Sequence, residues 1–155
     1  MTENQQRIDF ERLVAELAQE IARQEREMYS DVVIQEARHP SNLGRIAEPD
    51  GHGLVHGVCG DTMEIYLRLN DEKIEQATFM TDGCGPTIAC GSMLTKMITG
   101  KLLDDALEIM PEDLIEALNG LPEENQHCAE LAVITFQNAL ANLRFWNQAQ
   151  TEGSD

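Results

Sequence analysis

The sequence predicts an α+β fold: a small three-stranded antiparallel sheet packed against several helices, with an extra helix at the N-terminus. Three patterns carry that expectation. Residues 62–69 alternate strictly, with Met63, Ile65, Leu67 and Leu69 set against Thr62, Glu64, Tyr66 and Arg68, as in a strand buried on one face. After Pro86 the apolar period changes to 3.6, the spacing of helices. Ahead of both, residues 1–28 carry a helical stripe of Phe10, Leu13, Val14, Leu17 and Ile21 between Glu, Gln and Arg.

That first stripe needs a partner surface. The protein's own domain is the default, and a dimer or docking face is the other option. A second short helix is expected over Asp31 to Arg38, opened by Ser30 as N-cap and closed near His39-Pro40, because the residue before proline avoids helical geometry. Pro40 to Gly53 reads as loop, with Gly44, Pro49, Gly51 and Gly53 as turn markers. Leu54 to Val58 is the candidate first strand. Asn70-Asp71-Glu72 turns the alternating strand into its partner, Lys73 to Met80.

The helix after Gly83-Cys84-Gly85-Pro86 places Cys90, Leu94, Met97 and Ile98 on one stripe and stops at Gly100. Two short helices are expected next, Asp104 to Ile109 and then a segment opened by Pro111-Glu112-Asp113 and closed by Asn119-Gly120. The last helix is expected from about His127 to Trp146, burying Ala132, Phe136, Ala139, Leu140 and Leu143. The domain organisation expected from this pass is a helical extension over 1–28, one domain over 29–147 and a polar tail over 148–155. No internal repeat interrupts it.

At 155 residues the chain has room for one domain with a proper core. Its formal charge of -17, from 28 acidic and 11 basic residues, would repel phosphate backbones and anionic membrane surfaces, so neither nucleic acid nor membrane is expected as a partner. No apolar run reaches the length of a membrane span and the first 30 residues do not resemble a signal peptide, so a cytoplasmic location is expected. In that reducing compartment the 4 cysteines are expected as free thiols or metal ligands rather than disulfides.

The cysteines differ by setting. Cys59 follows a strand and is separated from Asp61 by one glycine, so thiol and carboxylate can turn toward one small cation. Cys84 precedes a helix and Cys128 opens another, positions where helix N-termini favour the thiolate. Cys90 sits on an apolar stripe and reads as core. Asp61 is either a turn residue or a ligand. His127 is a metal ligand, a base for Cys128 or a polar residue near a helix start. His39, His52 and His56 read as solvated loop residues. A thiol enzyme built on Cys128 and His127 is disfavoured, since neighbours on a helix point apart and no orienting acid or amide is identifiable.

Taken together, Tyr29-Ser30, His39-Pro40-Ser41-Asn42-Leu43-Gly44, Cys59-Gly60-Asp61-Thr62-Met63, Gly83-Cys84-Gly85, Thr99-Gly100-Lys101 and His127-Cys128-Ala129-Glu130-Leu131-Ala132 form an ordered set. Over residues 29–146 that set resembles the U-type iron-sulfur cluster scaffolds, the IscU-like and NifU N-terminal-like proteins. The resemblance implies a scaffold without turnover of its own. On it, a labile, transient 2Fe-2S cluster is built from iron and from sulfur delivered by a cysteine desulfurase, then handed to iron-sulfur acceptor proteins. It implies Cys59, Cys84 and Cys128 as cluster thiolates, Asp61 as the ligand that keeps the cluster labile, His127 as an iron or zinc ligand and Cys128 as persulfide acceptor. A homodimer is left open. The alternative is a zinc-bound persulfide relay to which the desulfurase passes sulfur, although the stretch from Gly85 to His127 leaves little room for the insertion expected in that branch.

Three departures stand out. Leu121-Pro122-Glu123-Glu124-Asn125 replaces a Leu-Pro-Pro-Val-Lys stretch of the bacterial housekeeping branch, so docking of a heat-shock-type chaperone there is not implied. Cys90 stands where the family usually has a small residue such as serine. Residues 1–28 precede the start of the shorter scaffolds.

Overall fold

The computed structural model describes residues 2–143. Helix α1 (Glu3–Met28) is capped by Thr2 and α2 (Asp31–Arg38) by Ser30, whose hydroxyl accepts from the Val33 N–H. Three antiparallel strands follow in the order β1 (Gly51–His56), β2 (Thr62–Asn70) and β3 (Lys73–Thr81). Then come α3 (Gly85–Ile98), α4 (Leu103–Ala106), α5 (Pro111–Ala117), a 3-10 turn over Glu123–Asn125 and α6 (Gln126–Ala141). The α+β class holds.

Met63, Ile65 and Leu67 of β2 and Ala77 and Phe79 of β3 face the core, and each is at most 1 % exposed. Helix α6 lies across β1 and β2, and α3 packs beside β3, closing that face with Leu94, Ile98, Ala132, Phe136 and Ala139. The hairpin turn is tight, with Asp71 at φ 56°. At the far edge Asn42 and Gly44 bond to the backbone of Phe79, so the loop ahead of β1 shields β3.

Several boundaries move. The first strand begins at Gly51, not Leu54, and ends before Val58, which is 92 % exposed in the following turn. Gly51 and Gly53 are strand residues because α6 presses on them: a Cβ at Gly53 would lie 2.6 Å from the Ala139 nitrogen and would also strike the Thr135 carbonyl. They are points of close backbone approach rather than turn markers. The fourth helix is a single turn, shorter than Asp104 to Ile109. The last closes at Ala141 with Asn142 as cap; Arg144 to Trp146, also expected in it, lie outside the described residues, as does the tail.

Tyr66 departs too. Expected on the solvent face of β2, it is 7 % exposed, stacked on His52 with ring centroids 4.6 Å apart, and its hydroxyl donates to Glu64. His52 and His56, both expected as loop residues, are strand residues of β1, paired with Tyr66 and Thr62.

The stripe on α1 is not covered by the domain. No α1 residue is buried, and Phe10, Leu13, Leu17 and Ile21 are each more than half exposed. Near its C-terminal end the helix is tied to the domain by the pairing of Glu25 with Arg38 of α2. The default expectation for this stripe is corrected accordingly.

Inside the domain, α2 and α3 are joined by a buried acid. Glu36 is 8 % exposed and accepts from Ser92 Oγ and Lys96 Nζ. Burial pushes its carboxyl up, but the bonds from Lys96 and Ser92 and the charge of Lys96 outweigh that and hold it below the usual value.

Candidate metal centre

Two loops and two helix starts converge at one end of the sheet. The turn between β1 and β2 is held by Gly57 N–H to Asp61 O at 2.6 Å and Gly60 N–H to Gly57 O at 3.1 Å, with Gly60 at φ 86°, a left-handed conformation suited to glycine. Cys59 sits exposed at its tip. At its base Thr62 N–H donates to Asp82 Oδ1, Thr81 Oγ1 donates to Thr62 O, and Gly83 N–H donates back to Thr81 Oγ1. These bonds fasten the loop carrying Asp61 to the loop carrying Cys84.

Cys84 is the N-cap residue of α3 and exposed; Pro86 and Thr87 in the first turn are buried. Thr87 is the residue that sequence reasoning missed. Its Oγ1 lies 3.0 Å from Asp61 Oδ2, 3.4 Å from Cys128 Sγ and 3.9 Å from Cys84 Sγ. A hydroxyl has one proton, so Thr87 can donate to Asp61 or to the Cys128 sulfur but not to both at once, while in its longer contact with Cys84 either atom can donate. The signal in the sequence was weak: Thr87 follows Cys84 by three residues and shares its helix face.

Cys128 lies in the first turn of α6 and is 1 % exposed. Burial pushes its thiol up, Cys84, Asp61 and Cys59 push the same way, and only the Thr87 bond opposes them. The expected activation by the helix N-terminus is thus overridden by desolvation. His127, half-buried, folds back so that Nε2 is 3.7 Å from Cys128 Sγ, although adjacent helical residues were expected to point apart. Before it, Asn125 makes no capping bond of its own but accepts from the Tyr29 hydroxyl at 3.4 Å.

The structure therefore brings Asp61, Cys84 and Cys128 around Thr87, with His127 against Cys128 and Cys59 at the rim. Among the described residues no three His, Cys, Asp or Glu side chains stand in a closed metal-holding group. The donor types nonetheless suit iron or zinc: soft thiols, an imidazole and one harder carboxylate. Cys90, fully buried and with its thiol pushed far up chiefly by burial, is a core residue. Among the described residues no helix is long and apolar enough to cross a membrane.

Comparison with known proteins adds an independent finding. The model of the NifU-like N-terminal domain matches residues 28–150. The chain is 42% identical over 116 residues to the iron-sulfur cluster assembly scaffold protein IscU 1 of Archaeoglobus fulgidus, covering 74% of this chain and 76% of that one. It is 38% identical over 127 residues to the iron-sulfur cluster assembly scaffold protein IscU of Escherichia coli, covering 79% and 98%. The fold is similar to the crystal structure of a nitrogen-fixing NifU-like protein (N-terminal) from Brucella abortus, with a TM-score of 0.57 at 20% identity, covering 75% of this chain and 94% of that one.

Proposed function

Because this chain belongs to the family of NifU-like N-terminal domains, we propose that it is a carrier scaffold on which an iron-sulfur cluster is assembled and from which it is passed on. The observation that carries the reading is the gathering of Asp61, Cys84 and Cys128 around one threonine hydroxyl, from three stretches far apart in sequence. Residues 29–147 form the scaffold domain of this proposal, with 1–28 an appended helix and 148–155 a polar tail.

The cargo is a transient 2Fe-2S cluster, with Cys59, Cys84 and Cys128 as thiolate ligands, Asp61 as the oxygen ligand and His127 as an iron or zinc ligand. A site with two exposed thiols and a carboxylate suits release as well as binding, since a carboxylate holds iron less softly than sulfur does. Partners of this reading are a cysteine desulfurase and iron-sulfur acceptor proteins, in the cytoplasm, with no turnover by the chain itself. Cys128 takes the sulfur: its thiolate attacks the terminal sulfur of the desulfurase persulfide, a new S–S bond forms, and the desulfurase cysteine leaves as thiolate. Cys128 is covered, with Thr87 and His127 against its sulfur, so the site must open before the persulfide can reach it.

Anaerobic reconstitution with iron, cysteine and a desulfurase tests the proposal. A visible-absorbing chromophore with about two irons per site is the expected result. Tight zinc without a chromophore would instead favour the persulfide relay, and failure to hold either metal would sink the metal-centre reading.

A further inference from the structure

We infer that Thr87 is a positioning residue that competes with incoming metal for Asp61 and Cys128, so that its hydroxyl sets how tightly the site takes its first metal ion. The inference rests on the metal-centre reading above and extends it to a residue that is not itself a ligand.

The geometry makes the competition direct. The Thr87 oxygen is within 3.0 Å of the Asp61 carboxylate and 3.4 Å of the Cys128 sulfur, and Cys84 approaches it at 3.9 Å. A metal bound to the same three side chains needs the lone pairs that now face the hydroxyl, and it needs the space among them. Thr87 cannot yield freely. It is fully buried, and its Cβ and Cγ2 fill the volume beside Gly83, where an added Cβ would lie 2.7 Å from each. A β-branched side chain has few χ1 states to begin with, and the packed methyl favours the one that aims the hydroxyl at Asp61. Coordination therefore breaks a hydrogen bond to a charged acceptor before it gains a metal–oxygen bond.

The two loops that meet here are otherwise locked by bonds between side chains and backbone groups through Thr62, Thr81, Asp82 and Gly83. The adjustable contact lies at the centre of the site, not in its frame.

The test uses the full chain and cobalt(II) as probe, whose thiolate charge-transfer bands report binding to the cysteines. Affinities are measured by titration against a competing chelator for the wild type, Thr87→Val, Thr87→Ser, Asp61→Ala and the double variant Asp61→Ala/Thr87→Val. Thr87→Val removes the hydroxyl and keeps the branch, and cobalt should bind about tenfold more tightly, the scale of one charge-assisted hydrogen bond. Thr87→Ser keeps the hydroxyl and should stay within about threefold of the wild type. In the Asp61→Ala background the gain from Thr87→Val should largely vanish, a coupling that a purely structural role would not produce. Unchanged or weaker binding by a folded Thr87→Val, or an equal gain in both backgrounds, overturns the inference while leaving the metal centre standing. No thiolate–cobalt signal from the wild type overturns both. If Thr87→Val fails to melt cooperatively, Thr87→Ala is titrated in its place with the same expected direction.

Discussion

Gly53→Ala tests how the site is held together. Strand β1 carries the loop with Cys59 and Asp61, α6 carries Cys128, and the two meet where Gly53 lies under the α6 backbone. A methyl there would sit 2.6 Å from the Ala139 nitrogen, against the 3.4 Å at which ordinary contact begins, so helix and strand must separate by about 1 Å. The obstacle is main chain on both sides and cannot rotate away. Overpacking of this kind costs typically 1–3 kcal/mol, and the absence of any yielding side chain puts the expected loss at about 3 kcal/mol. For a chain of this length that lowers the melting temperature by about 6–12 °C. Thermal melts followed by far-UV circular dichroism measure it, with Gly120→Ala as comparison. At Gly120 a Cβ meets nothing within 4 Å, and only the φ of 98° resists, so about 1 kcal/mol is expected. Equal melting temperatures for Gly53→Ala and the wild type would show that α6 is not seated on β1 as described.

Asp61→Ala should hold a reconstituted cluster longer against a chelator than the wild type does, because the least soft ligand has been removed; equal or faster loss of visible absorbance would count against that role. The acid limb of the stability profile should carry the signature of Glu36. Its folded carboxyl is held below the unfolded value of about 4.3, so its contribution is present above that pH and fades as the pH falls through the lower, folded value. Glu36→Gln should cost about 1 kcal/mol at neutral pH, discounted because Lys96 is 43% exposed, and should flatten the acid limb in urea titrations; an unchanged limb would contradict the assignment.

Much of the fold was legible because local chemistry and tertiary demand agreed. The Ser30 cap, the Asp71 turn, Pro86 in the first turn of α3 and the left-handed Gly100 all act as their residue types predict. The reading failed where one residue type has two uses. Gly51 and Gly53 look like turn punctuation in a list of letters, and only the presence of α6 turns them into strand. Tyr66 obeys the alternation, yet its ring is covered from the side expected to face solvent. The stripe of α1 predicts a helix correctly but not what lies against it. At the site, the ligand-type residues announced themselves by type and motif. Thr87 did not, because a threonine in an apolar helix is ordinary until the Asp61 loop and the start of α6 are brought to it. The thiol of Cys128 shows the same limit: the helix start is local and readable, whereas the burial that outweighs it is global.

The contact between Gly83 and Thr87 constrains the routes by which this site can change. The threonine β-carbon and methyl both lie 2.7 Å from where a larger residue at 83 would place its first carbon, while the hydroxyl faces the acid and the thiols. Trimming position 87 to alanine removes the methyl and the hydroxyl but leaves the β-carbon, so a larger residue at 83 still meets a steric barrier. Position 87 can therefore lose its hydroxyl without freeing its neighbour, and glycine should persist at 83 whichever side chain stands at 87.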